Sequence, residues 1–173
     1  MRLFFAAELP AVVKNNIATL QKEFSHPGVR LVPPENLHLT VAFLGEREEP
    51  EIPLLIAAAR KLPLPAPFSV QAEGVGSFGR SPRVIWVGAN GEPLTGLLSL
   101  FHQAFTPAEK PPQSHITIGR VQMETGVLLD MLNANNSVKF GEVPVNSVFL
   151  KKSFLGGGPP RYETVGEVPL AGT

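Results

Sequence analysis

The chain carries two kinds of hydrophobic pattern. Between Val13 and Phe24, apolar residues recur every three or four positions, which predicts an amphipathic helix. Three further segments have helical patterns, at 51–62, 92–105 and 126–135. The other apolar runs are short and bounded by turn-forming residues, which predicts strands. They occupy 2–9, 30–32, 37–45, 68–78, 83–89, 115–121, 143–155 and 161–170.

The order of these elements favours an α+β fold. Strands and helices do not alternate steadily, as a doubly wound parallel sheet would require. The two half-chains instead have a similar order, which suggests a weak internal duplication. We therefore expect two similar lobes, each an antiparallel sheet backed by helices, forming a central groove. Residues 1–173 are expected to make one bilobal domain, in which the proline-rich segments 63–67 and 111–112 are connectors.

Composition narrows the classes of function. The chain has 173 residues, with fifteen basic and fifteen acidic side chains. Such a neutral chain does not favour coating of nucleic acid through a broad positive field, although it allows one phosphate to bind in a cleft. The absence of cysteine excludes disulfides, thiolate nucleophiles and cysteine-based metal sites. No run approaches the roughly 20 apolar residues of a membrane span, so we expect a soluble, cytoplasmic protein.

Two of the four histidines share a short motif. The sequence HLTV spans 38–41, and HITI spans 115–118. Because side chains alternate along a strand, each His shares one face with its Thr while the apolar neighbours face the core. The two strands would thus present two imidazoles and two hydroxyls across the groove, one motif in each lobe.

These groups suit a displacement at phosphorus. An imidazole titrates near pH 6.5, so His38 and His115 can serve as acid and base. Thr40 and Thr117 can donate hydrogen bonds to phosphate oxygens. A zinc site would need a third ligand, which neither motif supplies, and we expect no metal. One motif alone would be an ordinary strand feature, but its repetition favours a catalytic site.

The motifs and their flanks resemble the 2H phosphoesterase superfamily, which is named for paired His-x-Thr/Ser-x motifs. They are most similar to its RNA 2′,3′-cyclic phosphodiesterase branch, also called 2′-5′ RNA ligases. The similar stretches are RLFFAAELP, VPPENLHLTVAFLGE, PRVIWVG, SHITIGR, and SVFLKKSFL followed by RYETV. Two positions depart from the family pattern: Leu31, where an aromatic residue is frequent, and Ser114, where proline is common.

The resemblance implies an activity and a role for each site residue. The enzyme would open terminal 2′,3′-cyclic phosphates on RNA ends to 2′-phosphates, with weak reverse 2′-5′ ligation and without metal or cofactor. His38 would be the proton donor to the leaving 3′-oxygen, and His115 the base that activates water. Thr40 and Thr117 would bind the phosphate oxygens, and Arg120 matches a basic family position that would also bind phosphate. A monomer is the default expectation.

Two other functions stay open at this point. The substrate could instead be a cyclic phosphate on ADP-ribose or a 2′-5′-linked oligoadenylate, since groove-lining loops decide this. The chain could also be a non-catalytic protein that binds RNA ends, although both motifs are intact.

Several residues outside the motifs need an interpretation. Strict alternation places Arg120 and Phe43, each five residues after its motif histidine, on the opposite face unless a bulge or twist re-aims them. The two other histidines are predicted at a surface turn and on a helix flank, and Trp86 in the core. Tyr162 either stacks on a base or belongs to a paired strand. These non-motif positions are His26, His102, Trp86 and Tyr162.

Overall fold

In the computed structural model, the described residues are 1–79, 81–107, 113–123, 126–154, 156 and 160–171. They form nine β-strands and four α-helices, numbered along the chain. The strands are β1 Arg2–Glu8, β2 Val29–Leu31, β3 His38–Glu46, β4 Phe68–Phe78, β5 Val84–Asn90, β6 His115–Val121, β7 Lys139–Val145, β8 Ser147–Phe154 and β9 Arg161–Pro169. The helices are α1 Ala11–Gln21, α2 Ile52–Arg60, α3 Glu92–Phe105 and α4 Gly126–Ala134. None of these helices is long and apolar enough to cross a membrane.

The strands build two antiparallel sheets. The first sheet has the order β3-β1-β8-β9, and the second has the order β2-β6-β5-β4-β7. Every described pairing is antiparallel. The predicted α+β class with two antiparallel sheets is therefore confirmed, and each sheet contains one of the two motif strands, β3 and β6.

The helices pack behind the sheets in an exchanged arrangement. Helix α3 follows the second sheet's β5, but the ring of Phe101 packs on Phe5 of β1 in the first sheet, with centroids 5.0 Å apart. Helix α1 follows β1, but Asn16 donates a 2.8 Å hydrogen bond to the carbonyl of Phe140 in β7 of the second sheet. Each sheet is therefore packed by a helix that follows a strand of the other sheet. The buried apolar residues form one connected cluster.

One predicted strand was wrong. The segment 143–155 was expected to be one long strand, but the chain breaks at Asn146 into β7 and β8, which belong to different sheets. The buried apolar positions change parity at this break, from Val143 and Val145 to Val148 and Leu150, so alternation does not run through it. The expectation of a single strand did not take this shift into account. Pro144 lacks an N–H donor, which suits β7 because β4 is its one described neighbour. The predicted connector at 111–112 lies outside the described residues.

Candidate active site

The two motif strands lie next to each other across the groove between the sheets. A cavity of about 550 Å³ opens there, with walls from both sheets. Four of the five predicted site residues line it: His38 and Thr40 from β3, and Thr117 and Arg120 from β6. The fifth, His115, begins β6 two residues before Thr117 but is not among the residues that line this cavity.

Both motif histidines are held in the same way. Nδ1 of His38 lies 2.7 Å from the carbonyl oxygen of Asn36, and Nδ1 of His115 lies 2.7 Å from that of Gln113. Each carbonyl belongs to the residue two positions before its histidine. Because a carbonyl only accepts, Nδ1 carries the hydrogen in both rings, and Nε2 is the atom that gains and loses a proton. In His38, Nε2 lies 3.0 Å from the hydroxyl of Thr40.

Aromatic rings enclose the His38 imidazole. The ring centroid of Phe4 is 4.9 Å from that of His38, and Tyr162 meets His38 edge-on at 5.3 Å. This burial lowers the pKa of His38 to about 4, because the charged imidazolium loses its hydration. The carbonyl of Asn36 works in the opposite direction, and the cation of Lys151 lowers the pKa further. His38 is therefore neutral near pH 7 in the free protein.

His115 has a similar but less enclosed environment. Its ring meets Phe78 of β4 edge-on, with centroids 4.8 Å apart. Burial lowers its pKa, the carbonyl of Gln113 raises it, and the Arg120 guanidinium lowers it again. Both histidines are thus biased toward the neutral form before any substrate binds.

A β-bulge at the same place in each motif strand corrects the expectation from strict alternation. In β3, Ala42 pairs with Phe5 and Thr40 with Ala6, so Val41 is the extra residue. In β6, Gly119 pairs with Ile85 and Thr117 with Trp86, so Ile118 is the extra residue. Each extra residue is the third after its motif histidine. A bulge changes which residues face the groove from that point onward.

The bulges bring Phe43 and Arg120 onto the cavity side. In both strands the two residues after the motif threonine are buried, and the next one is exposed. Phe43 and Arg120 both line the cavity. The expectation that Phe43 faces away from the groove was wrong. The bulge that Arg120 needs in order to face the groove is present.

Three cavity residues were not singled out as site residues from the sequence alone. Tyr162 and Phe4 line the cavity and contact each other, with centroids 5.0 Å apart. Asn36 is buried, and its side-chain amide donates a 2.6 Å hydrogen bond to the carbonyl of Pro160 while its own carbonyl holds His38. The sequence signal was the family-like stretch VPPENLHLTV, which includes Asn36 but does not reveal this link to the segment before β9.

A chain of charges lies behind His38. The carboxylate of Glu8 accepts a hydrogen bond from Lys14, at 3.3 Å, and forms an ion pair with Lys151. The Lys151 side chain is only 10% exposed, and it also donates to the Thr164 hydroxyl at 3.1 Å. Burial alone would raise the pKa of Glu8, but Lys151 and Lys14 together hold it below its usual value. Glu8 is the strand partner of His38.

The remaining predicted positions lie away from the cavity just described. His26 is exposed, and its Nδ1 accepts a 3.2 Å hydrogen bond from the Gly28 amide. His102 lies on α3, as predicted, and is 9% exposed. Trp86 was expected in the core, but it is half-buried opposite Thr117 and packs on Phe78. Within the described residues, no group of three His, Asp or Glu side chains is placed to hold a metal ion.

Comparisons with known proteins agree on one family. The profile of the family described as LigT-like phosphoesterase matches residues 8–86. An RNA 2′,3′-cyclic phosphodiesterase of Archaeoglobus fulgidus is 33% identical over 171 residues, which cover 94% of this chain and 97% of the relative.

Solved structures extend the likeness to the whole fold. A protein of Thermus thermophilus superposes with a TM-score of 0.83 at 31% identity and covers 98% of both chains. Escherichia coli LigT in complex with 3′-AMP gives a TM-score of 0.80 at 28% identity, covering 99% of this chain and 98% of that one.

Fold and site together define a phosphoesterase with two antiparallel lobes. The chain belongs to the LigT-like phosphoesterase family. The family predicted from the motif strands is confirmed, and with it the prediction of an enzyme of the phosphoesterase class.

Proposed function

We propose that this protein is an RNA 2′,3′-cyclic phosphodiesterase that opens the terminal cyclic phosphate to a 2′-phosphate by acid–base catalysis, without metal or cofactor. The observation that carries the proposal is the matched anchoring of the two motif histidines. Each Nδ1 is bound by the carbonyl two residues earlier, at 2.7 Å in both cases, which leaves each Nε2 as the proton-exchanging atom. Two imidazoles oriented alike, from strands that lie next to each other, suit a reaction that both removes and delivers a proton.

In the proposed mechanism the two histidines act on opposite sides of the phosphorus. His115 accepts a proton from water through Nε2, and the resulting oxygen attacks the phosphorus. The bond from phosphorus to the 3′-oxygen breaks, and His38 delivers its Nε2 proton to that oxygen. The products are a 3′-hydroxyl and a 2′-phosphate.

The low pKa of His38 affects its role as proton donor. The free protein holds it neutral near pH 7, since its pKa is about 4. A bound phosphate carries negative charge into the cavity and raises the pKa of a neighbouring imidazole. Substrate binding therefore promotes the protonation that the donor step needs.

Hydroxyl and guanidinium groups stabilise the charge that develops on phosphate. Thr40 and Thr117 line the cavity from opposite sheets, and each hydroxyl can donate to a non-bridging oxygen. Arg120 adds a permanent positive charge from the same side as Thr117. In the apo protein the Thr40 hydroxyl lies against His38 Nε2, so the phosphate takes over this contact when it binds.

We infer that residues 1–173 act as one bilobal domain, because the cavity takes its walls from both sheets. The substrate is an RNA end or oligonucleotide with a 2′,3′-cyclic phosphate, in line with the name of the Archaeoglobus fulgidus relative. The Escherichia coli relative in complex with 3′-AMP supports a nucleotide in this groove. Reversal of the same steps would join a cyclic-phosphate end to a 5′-hydroxyl through a 2′-5′ link. The chain is proposed to act as a monomer in the cytoplasm.

A product assay tests the proposal. An oligonucleotide ending in a 2′,3′-cyclic phosphate is incubated with the protein, and the terminal 2′- and 3′-monophosphates are separated by chromatography. We expect the 2′-phosphate, with equal rates before and after exhaustive EDTA treatment. A 3′-phosphate product, or loss of activity on chelation, would contradict the mechanism. Parallel assays on a cyclic phosphate of ADP-ribose and on 2′-5′ oligoadenylate compare the alternative substrates.

A further inference from the structure

Two arginines that line the cavity face each other across neighbouring strands. Arg30 of β2 is the direct strand partner of Arg120 of β6, so both side chains project from the same face of the second sheet. Both are exposed, and both line the cavity. Like charges placed directly opposite each other in a sheet are destabilising. This arrangement costs stability unless an anion sits between the guanidinium groups.

Neither of these arginines is neutralised within the described residues. The ion pairs there involve Met1, Arg2, Lys14, Arg47 and Lys151, but neither Arg30 nor Arg120. A third arginine of the cavity wall, Arg2, is already paired with Glu46 at 2.9 Å. The described lining contains no Asp or Glu. The chain is neutral as a whole, so this wall is a local concentration of unpaired positive charge.

The cavity is also larger than one phosphate requires. Its volume of about 550 Å³ falls in the range that accommodates a whole small ligand. In the proposed mechanism the motif residues serve one phosphorus, and Arg120 follows the second motif by two residues. Arg30 lies beyond it, on the edge strand β2 of the second sheet.

We propose that Arg30, together with Arg120, binds a second phosphate of the substrate, the internucleotide phosphodiester on the 5′ side of the terminal nucleoside. This inference rests on the proposed function and deepens it. The enzyme would then favour ends of polynucleotides over mononucleoside cyclic phosphates, because only the former carry the second phosphate. Guanidinium groups suit this task, since their planar donors bind two phosphate oxygens at once.

The test compares two ligands that differ by one nucleoside and the phosphodiester that joins it. The first is a dinucleotide ending in a 2′-phosphate, and the second is the matching mononucleoside 2′-phosphate. Calorimetry measures the affinity of the wild type and of Arg30→Gln for both. We expect the wild type to bind the dinucleotide more tightly. Arg30→Gln should weaken dinucleotide binding about tenfold and leave mononucleotide binding unchanged.

Salt dependence and two further variants separate a specific contact from general charge. Arg30→Gln should reduce the slope of log affinity against log salt by about 0.7 for the dinucleotide. Arg30→Lys should keep that slope but recover only part of the affinity. Lys22→Gln removes an exposed cation that does not line the cavity, and it should change neither quantity. The melting temperature of Arg30→Gln should not fall, because an unfavourable charge pair is removed.

Each result bears on one of the two proposals. If the wild type opens mononucleoside and dinucleotide cyclic phosphates but Arg30→Gln affects both equally, Arg30 contacts the reacting phosphate and the second-phosphate site is wrong. Equal affinity of the wild type for the two ligands would also overturn it, while leaving the proposed function intact. If the wild type neither binds nor opens either ligand, both proposals fail.

Discussion

Phe43 and Arg120 occupy equivalent positions in the two motif strands. Each lies five residues after its motif histidine, follows a bulge at the third residue, and lines the cavity. The duplicated motif is therefore longer than the four residues HxTx, because the bulge and the residue that it re-aims are repeated too. The two copies differ in chemistry, with an exposed aromatic ring on one side and a cation on the other. The two ends of the duplicated motif therefore offer different contacts to a nucleotide, an aromatic ring from Phe43 and a positive charge from Arg120.

The bulge in β6 does not depend on glycine. A Cβ on Gly119 would lie 3.4 Å from Val29 Cγ1, and the equivalent residue of β3 is Ala42. Gly119→Ala should therefore retain turnover within about twofold, measured with the cyclic-phosphate substrate. Loss of activity in Gly119→Ala with an intact fold would show that the bulge needs glycine.

By contrast, a Cβ on Gly28 would overlap the Met123 carbonyl, and Gly28→Ala should lower the free energy of unfolding by about 1–3 kcal/mol.

The pH dependence of kcat/KM should reveal the two depressed histidine pKa values. This ratio follows ionisation in the free enzyme. The pKa of His38 is about 4, and that of His115 lies below its ordinary value of 6.5, so the optimum should fall on the acid side of 6.5. Bound phosphate raises both pKa values, so the optimum of kcat should lie at higher pH. Circular dichroism at each pH serves as the control for unfolding, and an optimum of kcat/KM above pH 7 would refute this account.

His38 should also make the stability of the free protein depend on pH. Its folded pKa of about 4 is below its ordinary value of 6.5, so the unfolded chain takes up the proton first. The free energy of unfolding should therefore fall as the pH drops from 6.5 to 4, by at most about 3 kcal/mol from this group. Urea titrations at several pH values measure this, and His38→Gln should show a shallower decline. If the free energy of unfolding falls equally with pH in the wild type and in His38→Gln, His38 is not the source of the decline.

The Glu8–Lys151 ion pair should matter more than a surface pair. Glu8→Gln leaves the largely buried Lys151 cation with only the Thr164 hydroxyl, and it should lower the free energy of unfolding by roughly 1–2 kcal/mol. Because the Glu8 charge raises the pKa of His38, its removal should also move the acid limb of kcat/KM to lower pH.

The matched control for this prediction is Glu46→Gln. It breaks ion pairs of the exposed Arg2 and of the N-terminus and should change stability much less. Equal melting temperatures for the two variants, or an unmoved acid limb in Glu8→Gln, would show that the pair behind His38 has no special role.

The sequence predicted the elements that local patterns determine. The stripe of Val13, Ile17 and Leu20 is the buried face of α1, and both motif strands form as expected. The break at Asn146 was missed because 143–155 was treated as one strand, although the buried apolar positions change parity between Val145 and Val148. Which sheet a strand joins depends on pairing with strands that are distant in the sequence, and a local hydrophobic pattern does not identify those strands.

The part of the site that belongs to the repeated motif could be predicted from the sequence. The motif residues and Arg120 could be named from their spacing and family resemblance, but Phe43 could not. Strict alternation excludes it, and a bulge arises from pairing with β1, which the sequence of β3 alone does not specify. Tyr162 contacts His38 from more than a hundred residues away, and Asn36, whose carbonyl holds His38, is itself bonded to the equally distant Pro160.

The most direct test of the two-histidine mechanism is single-turnover hydrolysis of an RNA oligonucleotide with a 2′,3′-cyclic end by three variants. His38→Ala and His115→Ala should each slow formation of the 2′-phosphate by about 10²–10⁴-fold, with circular dichroism unchanged. His26→Ala removes an exposed turn histidine and should react like the wild type. Turnover near the wild-type rate in either motif variant would contradict the central claim that both imidazoles serve one phosphorus.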